Sequence, residues 1–192
     1  QMAALLLIEV DGHPAMVAEE AEGVERILKE VGAAEVHVAK DAEEAASLAA
    51  ARRTALSALA RVSPTTLLED ATVPRSMLAE TFVLIEKLTE KYKLTVGTFG
   101  HAGDGNLHPT VLCDERDDDE MKRAHAFYDE LYEQVLAWGG TVSGEHGIGI
   151  AKKEYLARQI GPGGVAVMQR IKQAFDPDGI LNPGKIFVAD GE

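Results

Sequence analysis

Hydrophobic positions change their period twice within the first forty residues. Leu5 to Val10 form a short, mostly apolar run closed by the turn pair Asp11-Gly12, which predicts a buried strand. From Pro14 the apolar positions Val17, Ala21, Val24, Leu28 and Val31 recur at three- and four-residue steps, with Glu19, Glu20, Glu22 and Glu25 turned outward. That is an amphipathic helix, opened by Pro14 and stopped by Gly32. Val36 and Val38 then alternate with Glu35 and His37, the pattern of a second strand. Asp41, with Glu44 three residues on, makes a capping box and predicts a helix through the alanine-rich stretch to about Arg61.

Further along, Leu67 to Val73 reads as a short extended piece, and Pro74 opens a helix with Met77, Leu78, Phe82, Ile85 and Leu88 on its buried stripe. Leu94–Phe99 and Leu107–Leu112 are expected to pair as a hairpin across the turn Gly103-Asp104-Gly105-Asn106. After the acidic loop 114–120 comes a long helix ending near Trp138 at Gly139-Gly140. Two shorter helices, Lys152–Ile160 and Val165–Phe175, flank Gly161-Pro162-Gly163-Gly164, and a turn-rich tail follows from Asp176. A β-α-β unit, then helices, a hairpin and more helices predict an α+β fold: a ferredoxin-like antiparallel sheet with helices packed on one face, plus a C-terminal helical segment and an irregular tail. No Gly-x-Gly-x-x-Gly lies between a strand and a helix, so no Rossmann dinucleotide site is indicated.

Composition narrows the partners. Aromatics make up 5% of the 192 residues, so aliphatic side chains and alanine must fill the core. A formal net charge of -13 argues against nucleic acid or an anionic membrane surface, both of which need clustered Lys and Arg. No run approaches the roughly 18–20 apolar residues of a membrane span. The N-terminal stretch lacks the basic start of a signal peptide. The lone Cys113 excludes an internal disulfide and reads as a small apolar residue ending a strand, and a cytoplasmic setting is expected.

Chemistry concentrates in two glycine-rich segments, Gly100-His101-Ala102-Gly103-Asp104-Gly105-Asn106-Leu107-His108 and Ser143-Gly144-Glu145-His146-Gly147. Three of the six histidines and two carboxylates, Asp104 and Glu145, stand there among glycines. The hairpin places His101 and His108 within range of one ion, and Glu145 closes the set as an oxygen ligand. Neutral imidazoles and a carboxylate favour Zn²⁺, with Mn²⁺, Fe²⁺ or Co²⁺ as the other candidates and a fourth position left for substrate or water. His146 is a poor fourth ligand if its segment is extended, and a better general base. Asp104 reads as a turn former, and His13, His37 and His125 as turn or solvent-facing residues. An anionic substrate could be met by Arg52, Arg53, Arg61, Arg75 or Lys185. Thr110, two residues beyond His108, is expected to share its face and line the pocket.

These segments resemble the C-terminal domain of FAD-linked oxidases of the vanillyl-alcohol-oxidase superfamily, whose members include glycolate oxidase FAD-linked subunits, D-lactate dehydrogenases and D-2-hydroxyglutarate dehydrogenases. The matching stretches are Glu69 to Ser76, Gly100 to His108, Ser143 to Gly149 and Phe175-Asp176-Pro177 through Leu181-Asn182-Pro183-Gly184-Lys185-Ile186-Phe187. The resemblance implies that residues 1–192 are a cap domain over the flavin, and that the FAD-binding domain belongs to an N-terminal part outside them. It implies metal ligands at His101, His108 and Glu145, and a base at His146. Arg52 and Arg75 would meet the carboxylate of a D-2-hydroxy acid such as glycolate or D-lactate, with Asn182 and Lys185 on the tail that returns to the flavin. The implied enzyme is an FAD-dependent 2-hydroxy-acid dehydrogenase passing electrons to acceptor subunits or proteins, cytoplasmic or peripheral to a membrane through them. The isolated chain is expected to be inactive. Two further readings stand beside this one. The first is a stand-alone metal or small-acid binding and regulatory module; the second is a metal-dependent hydrolase.

Overall fold

The computed structural model describes residues 4–188. The chain divides into two units, Gln1–Ala58 and Leu59–Glu192, each with its own internal contacts. In the first, α1 (Pro14–Glu30) and α2 (Ala42–Arg53) form where predicted. The Asp41 carboxylate accepts from the Glu44 N–H at 2.9 Å, which caps α2. The helix expected to reach Arg61 is interrupted at Thr54, and the short α3 (Ala55–Leu59) follows. Thr54 Oγ1 donates back to the Ala50 carbonyl, a bond that competes with helix continuation.

The predicted strands at Leu5–Val10 and Val36–Val38 are corrected: both segments carry no ladder pairing among the described residues. Leu5, Leu6, Leu7 and Ile8 are exposed rather than buried. An apolar run becomes a strand only where a neighbouring edge accepts its N–H and C=O groups, and every ladder of this structure lies beyond residue 64.

That sheet is antiparallel throughout. The central strand β4 (Asn106–Cys113) pairs along one edge with β1 (Thr65–Leu68) and then β2 (Ala71–Thr72), and along the other with β3 (Thr95–His101). All eight β4 residues are buried. Strand alternation sends Leu107, Val111 and Cys113 into a core with Ile85 and Leu88 of α4 (Leu78–Tyr92) and Phe127, Leu131, Tyr132 and Val135 of α5 (Asp118–Ala137). Asn106, His108 and Thr110 therefore occupy the opposite face. Gly97, paired with Thr110, leaves room there for the Leu59 side chain. The α+β class, with helices on one face of an antiparallel sheet, is the one expected.

One helical expectation shifts in detail and one is met. Pro74 begins a 3₁₀ turn, Arg75–Met77, before α4, and the buried stripe of α4 is Thr81, Ile85 and Leu88, with Phe82 exposed. The last helical element, α6 (Lys153–Phe175), is two helices that meet at the non-helical Gly161 (φ 71°, ψ 165°) followed by Pro162, as the expected pair requires. Tyr128 of α5 ties the helices to the sheet: its hydroxyl donates to Leu67 O (2.6 Å) and accepts from Val111 N (3.2 Å).

Candidate active site

The β3–β4 register sets His101 opposite Asn106 and Phe99 opposite His108, which makes the two histidines diagonal neighbours on one face. Their rings meet edge to face with centroids 5.6 Å apart. The connecting 3₁₀ turn, Ala102–Asp104, ends at Gly105 with φ 73°. A Cβ at Gly105 would stand 2.1 Å from the Val73 carbonyl oxygen, so this turn accepts glycine alone on both conformational and steric grounds.

The second segment approaches from the loop between α5 and α6. Glu145 Oε1 lies 3.0 Å from His108 Nε2 and 3.6 Å from His101 Nε2. The three donor atoms fall within 4.8 Å of one another. Ligand atoms held about 2.0–2.2 Å from one tetrahedral ion stand roughly 3.3–3.6 Å apart, and the two Glu145 distances lie near that spacing. His108 is buried, and its pKa is lowered, first by that burial and then by the neighbouring His146, which keeps its imidazole in the neutral form that coordinates. Its Nδ1 is the one buried side-chain polar atom without a hydrogen bond among the described residues. The ring is held by packing, tilted against Phe99 (5.4 Å) and stacked on His146 (4.9 Å, 13° between planes).

The 143–146 segment is bent, not extended, and this changes the geometry expected of His146. Instead of diverging from Glu145, its Nε2 lies 3.9 Å from Glu145 Oε1, beside the three donors. The cause is Asp70, fully buried beyond the end of β1. Its Oδ2 accepts from Ser143 Oγ (2.8 Å) and from the N–H groups of Gly144, Glu145 and His146 (2.9 Å each). Burial by itself would raise the Asp70 pKa; the hydrogen bonds from His146, Glu145, Asn106 and Ser143 outweigh it and hold the carboxyl well below the usual range. Asn106 Nδ2 donates both to Asp70 Oδ1 and to Thr72 Oγ1. Gly144 is packed against this group so closely that a Cβ would meet Thr72 Oγ1 at 2.3 Å and Asn106 Nδ2 at 2.6 Å.

A cavity of about 330 Å³ opens beside the cluster, lined by Thr72, His101, Asp104, Asn106, Gly144 and Glu145. That is small-molecule scale. Asp104 thus borders the cavity as well as forming the turn. Thr110 sits deeper, fully buried, with its hydroxyl donating to the His108 carbonyl (3.3 Å), and is not among the lining residues. Arg75 is exposed, its backbone adjacent to the Gly105 turn. Arg52 belongs to the last turn of α2, in the first unit. Asn182 and Lys185 are exposed on the tail, which is anchored by the Ile186 N–H donating to Gly149 O at 2.7 Å.

Sequence reasoning assigned no role to Asp70, Asn106 or Lys152. The available signal was the acidic pair Glu69-Asp70 interrupting the otherwise apolar Leu67–Val73. Lys152 is buried, donates to the Asp70 carbonyl (2.9 Å) and pairs with Glu69 Oε2 (3.0 Å), which also accepts from the Tyr132 hydroxyl (2.6 Å).

The family described as FAD linked oxidases, C-terminal domain, matches residues 1–186. Glycolate oxidase subunit GlcD of Bacillus subtilis (strain 168) is 49% identical over 187 residues, covering 97% of this chain and 40% of that protein. The GlcD subunit of Escherichia coli (strain K12) is 40% identical over 182 residues, covering 95% and 36%. D-lactate dehydrogenase of Anaerostipes hadrus is 37% identical over 190 residues, covering 97% and 40%. The chain therefore spans about two fifths of the length of these relatives. Among solved structures, p-cresol methylhydroxylase with substrate bound superposes with a TM-score of 0.60 at 16% identity, over 95% of this chain and 38% of that one, a likeness of fold. Matched along nearly its whole length, the chain belongs to the C-terminal domain family of the FAD linked oxidases.

Proposed function

We propose that this chain is the substrate- and metal-binding cap domain of a flavin-dependent dehydrogenase that oxidises a D-2-hydroxy acid, glycolate or D-lactate being the type, to the 2-oxo acid. The observation that carries the reading is the convergence of His101, His108 and Glu145 beside a small cavity, with His146 stacked against them. In this reading His101, His108 and Glu145 hold a divalent ion, Zn²⁺ being favoured by two imidazoles and a carboxylate. Such an ion, when bound, lowers the pKa of a coordinated hydroxyl and orients the acid. His146 takes the hydroxyl proton at Nε2, while the α-hydrogen departs as hydride and the carbonyl forms. FAD, held by a separate N-terminal domain, supplies the hydride acceptor.

Arg75 and Arg52 are the proposed partners of the substrate carboxylate, Arg75 from the edge of the Gly105 turn. Thr110 supports the His108 backbone from below. Asn182 and Lys185 would reach toward the flavin from the tail. Acceptor subunits or proteins would then take the electrons, in the cytoplasm or at a membrane. No helix among the described residues is long and apolar enough to cross a membrane.

Metal content of chelator-treated protein reloaded with Zn²⁺ tests the ligand set. His101→Ala and His108→Ala should each hold less metal than the native chain, and equal content in all three would sink the assignment. In the full-length enzyme His146→Ala should lose about 10²–10⁴ in turnover with metal content unchanged.

A further inference from the structure

We propose that Asp70 is the positioning residue of this site: its buried carboxylate folds the Ser143–His146 segment around itself and so delivers Glu145 and His146 to the histidines of the hairpin. One oxygen, Oδ2, collects four donors, Ser143 Oγ and three successive backbone N–H groups, all at 2.8–2.9 Å. Consecutive N–H groups converging on one point form an anion-binding concavity, and here the anion is the chain's own side chain. Glu145 and His146 belong to no helix or strand, so no ladder fixes their direction. The turn also closes through Gly147, whose N–H donates to Ser143 Oγ at 2.7 Å.

Asp70 itself is immobilised from three sides. Asn106 holds Oδ1 from the sheet. Lys152 holds the Asp70 carbonyl from the start of α6, and Lys152 is in turn paired with Glu69. Its following neighbour Ala71 opens β2 and β1 ends two residues before it at Leu68, both strands lying on the same edge of β4. Asp70 does not line the cavity, so its effect on chemistry passes through the two side chains it aims. A group that orients a ligand in this way commonly changes metal affinity by about 10–100-fold when removed. The inference rests on the metal-and-base reading for its functional consequence, and on geometry alone for the fold of the segment.

Two measurements on the 192-residue chain separate those parts. In metal-free protein, amide spectra of Asp70→Asn should move the Gly144, Glu145 and His146 resonances and leave those of Val96 and Val111 in place. Zn²⁺ titration should show affinity lowered about 10–100-fold, with His108→Ala as the reference for loss of a ligand. Ser143→Ala, which removes one donor and keeps the carboxylate, should stay folded and show a smaller change of the same kind. It decides the matter if Asp70→Asn does not fold. Unmoved amide resonances in these variants overturn the positioning role. Moved amides with unchanged Zn²⁺ affinity also overturn it, because the segment would then not aim a ligand. A native chain that binds Zn²⁺ no better than His108→Ala rejects the metal reading instead, while the amide arm still decides whether Asp70 sets the segment.

Discussion

The two histidine-bearing segments of the site are held by opposite means. His101 and His108 stand on a ladder, where backbone pairing runs unbroken from Thr95↔Leu112 to His101↔Asn106 and strand alternation fixes the side chains' face. Glu145 and His146 stand on a bend whose direction is set by one carboxylate. A ladder distributes its hold over many weak bonds, so the loss of one leaves the register intact. A turn gathered on a single buried oxygen concentrates its hold, and every donor is affected when that oxygen or its support is disturbed. The consequence is a site with a stiff half and a conditional half, and the conditional half carries the proposed base.

The largest effect should come from the support of that conditional half. Lys152→Met removes the buried cation that pairs with Glu69 and holds the Asp70 carbonyl, leaving Glu69 with Tyr132 alone. Breaking a buried pair from one side costs about 3 kcal/mol or more. The variant should melt well below the native chain. The double variant with Glu69→Gln should recover part of the loss, since it no longer leaves the half-buried Glu69 carboxylate without its cation. Native-like stability in Lys152→Met would show that the pair is worth little and that the turn is not suspended from it.

On the stiff half the sharpest probe is Gly105→Ala. A residue with φ 73° and a Cβ 2.1 Å from Val73 O must distort the turn, at about 1–2 kcal/mol for the left-handed backbone and a further ~1–3 kcal/mol for the clash. The expected result is a lower melting temperature with the β3–β4 amide pattern kept from Thr95 to Phe99 and disturbed only toward His101. Collapse of the entire β3–β4 pattern would mean that the hairpin is as dependent on one point as the turn is.

Legibility in the sequence follows the same division. The hairpin could be read because its determinants are local: alternation across Leu107–Leu112, a glycine-rich turn, and histidines beside it. Helices with caps or clear apolar stripes, such as α1 and α5, were legible for the same reason. The Leu5–Val10 and Val36–Val38 runs have the composition of strands, yet their state depends on an edge to pair with, which no local pattern specifies. The bend at 143–146 has no local signature, because the residue that curls it stands more than seventy positions earlier. Long-range hydrogen bonds to a single side chain leave no periodicity, and Asp70 showed only as an acid out of place in an apolar run. Grouping His101, His108 and Glu145 was within reach because residue type and glycine context suffice; the partners of Asp70 were not.

The smallest effect discriminates between two buried carboxylates, Asp70 with four donors on one oxygen and Asp176 with two backbone donors and a half-exposed lysine. Asp176 repeats the Asp70 design in the tail, accepting from the Ile180 and Leu181 N–H groups at 3.0 Å each and pairing with Lys172. Its pKa is lowered, first by the Lys172 hydrogen bond, with burial opposing and the two backbone N–H groups adding to it. Asp70 is depressed further. Each carboxyl therefore binds fewer protons folded than unfolded, where its value is near 3.9. The stability it contributes is complete above about pH 5 and is lost as the pH falls through the native value. Denaturant unfolding at pH 5 and again at pH 3 should show a native chain weakened by acid. Asp176→Asn should flatten that acid limb slightly, because its lysine and turn are screened by solvent. Asp70→Asn should flatten the strongly acidic part more and lower the plateau as well, since it also removes a buried acceptor of four donors. Equal slopes for the two variants would mean that the additional donors add nothing to the Asp70 turn, and the conditional half of the site would then be no more dependent on its carboxylate than the tail turn is.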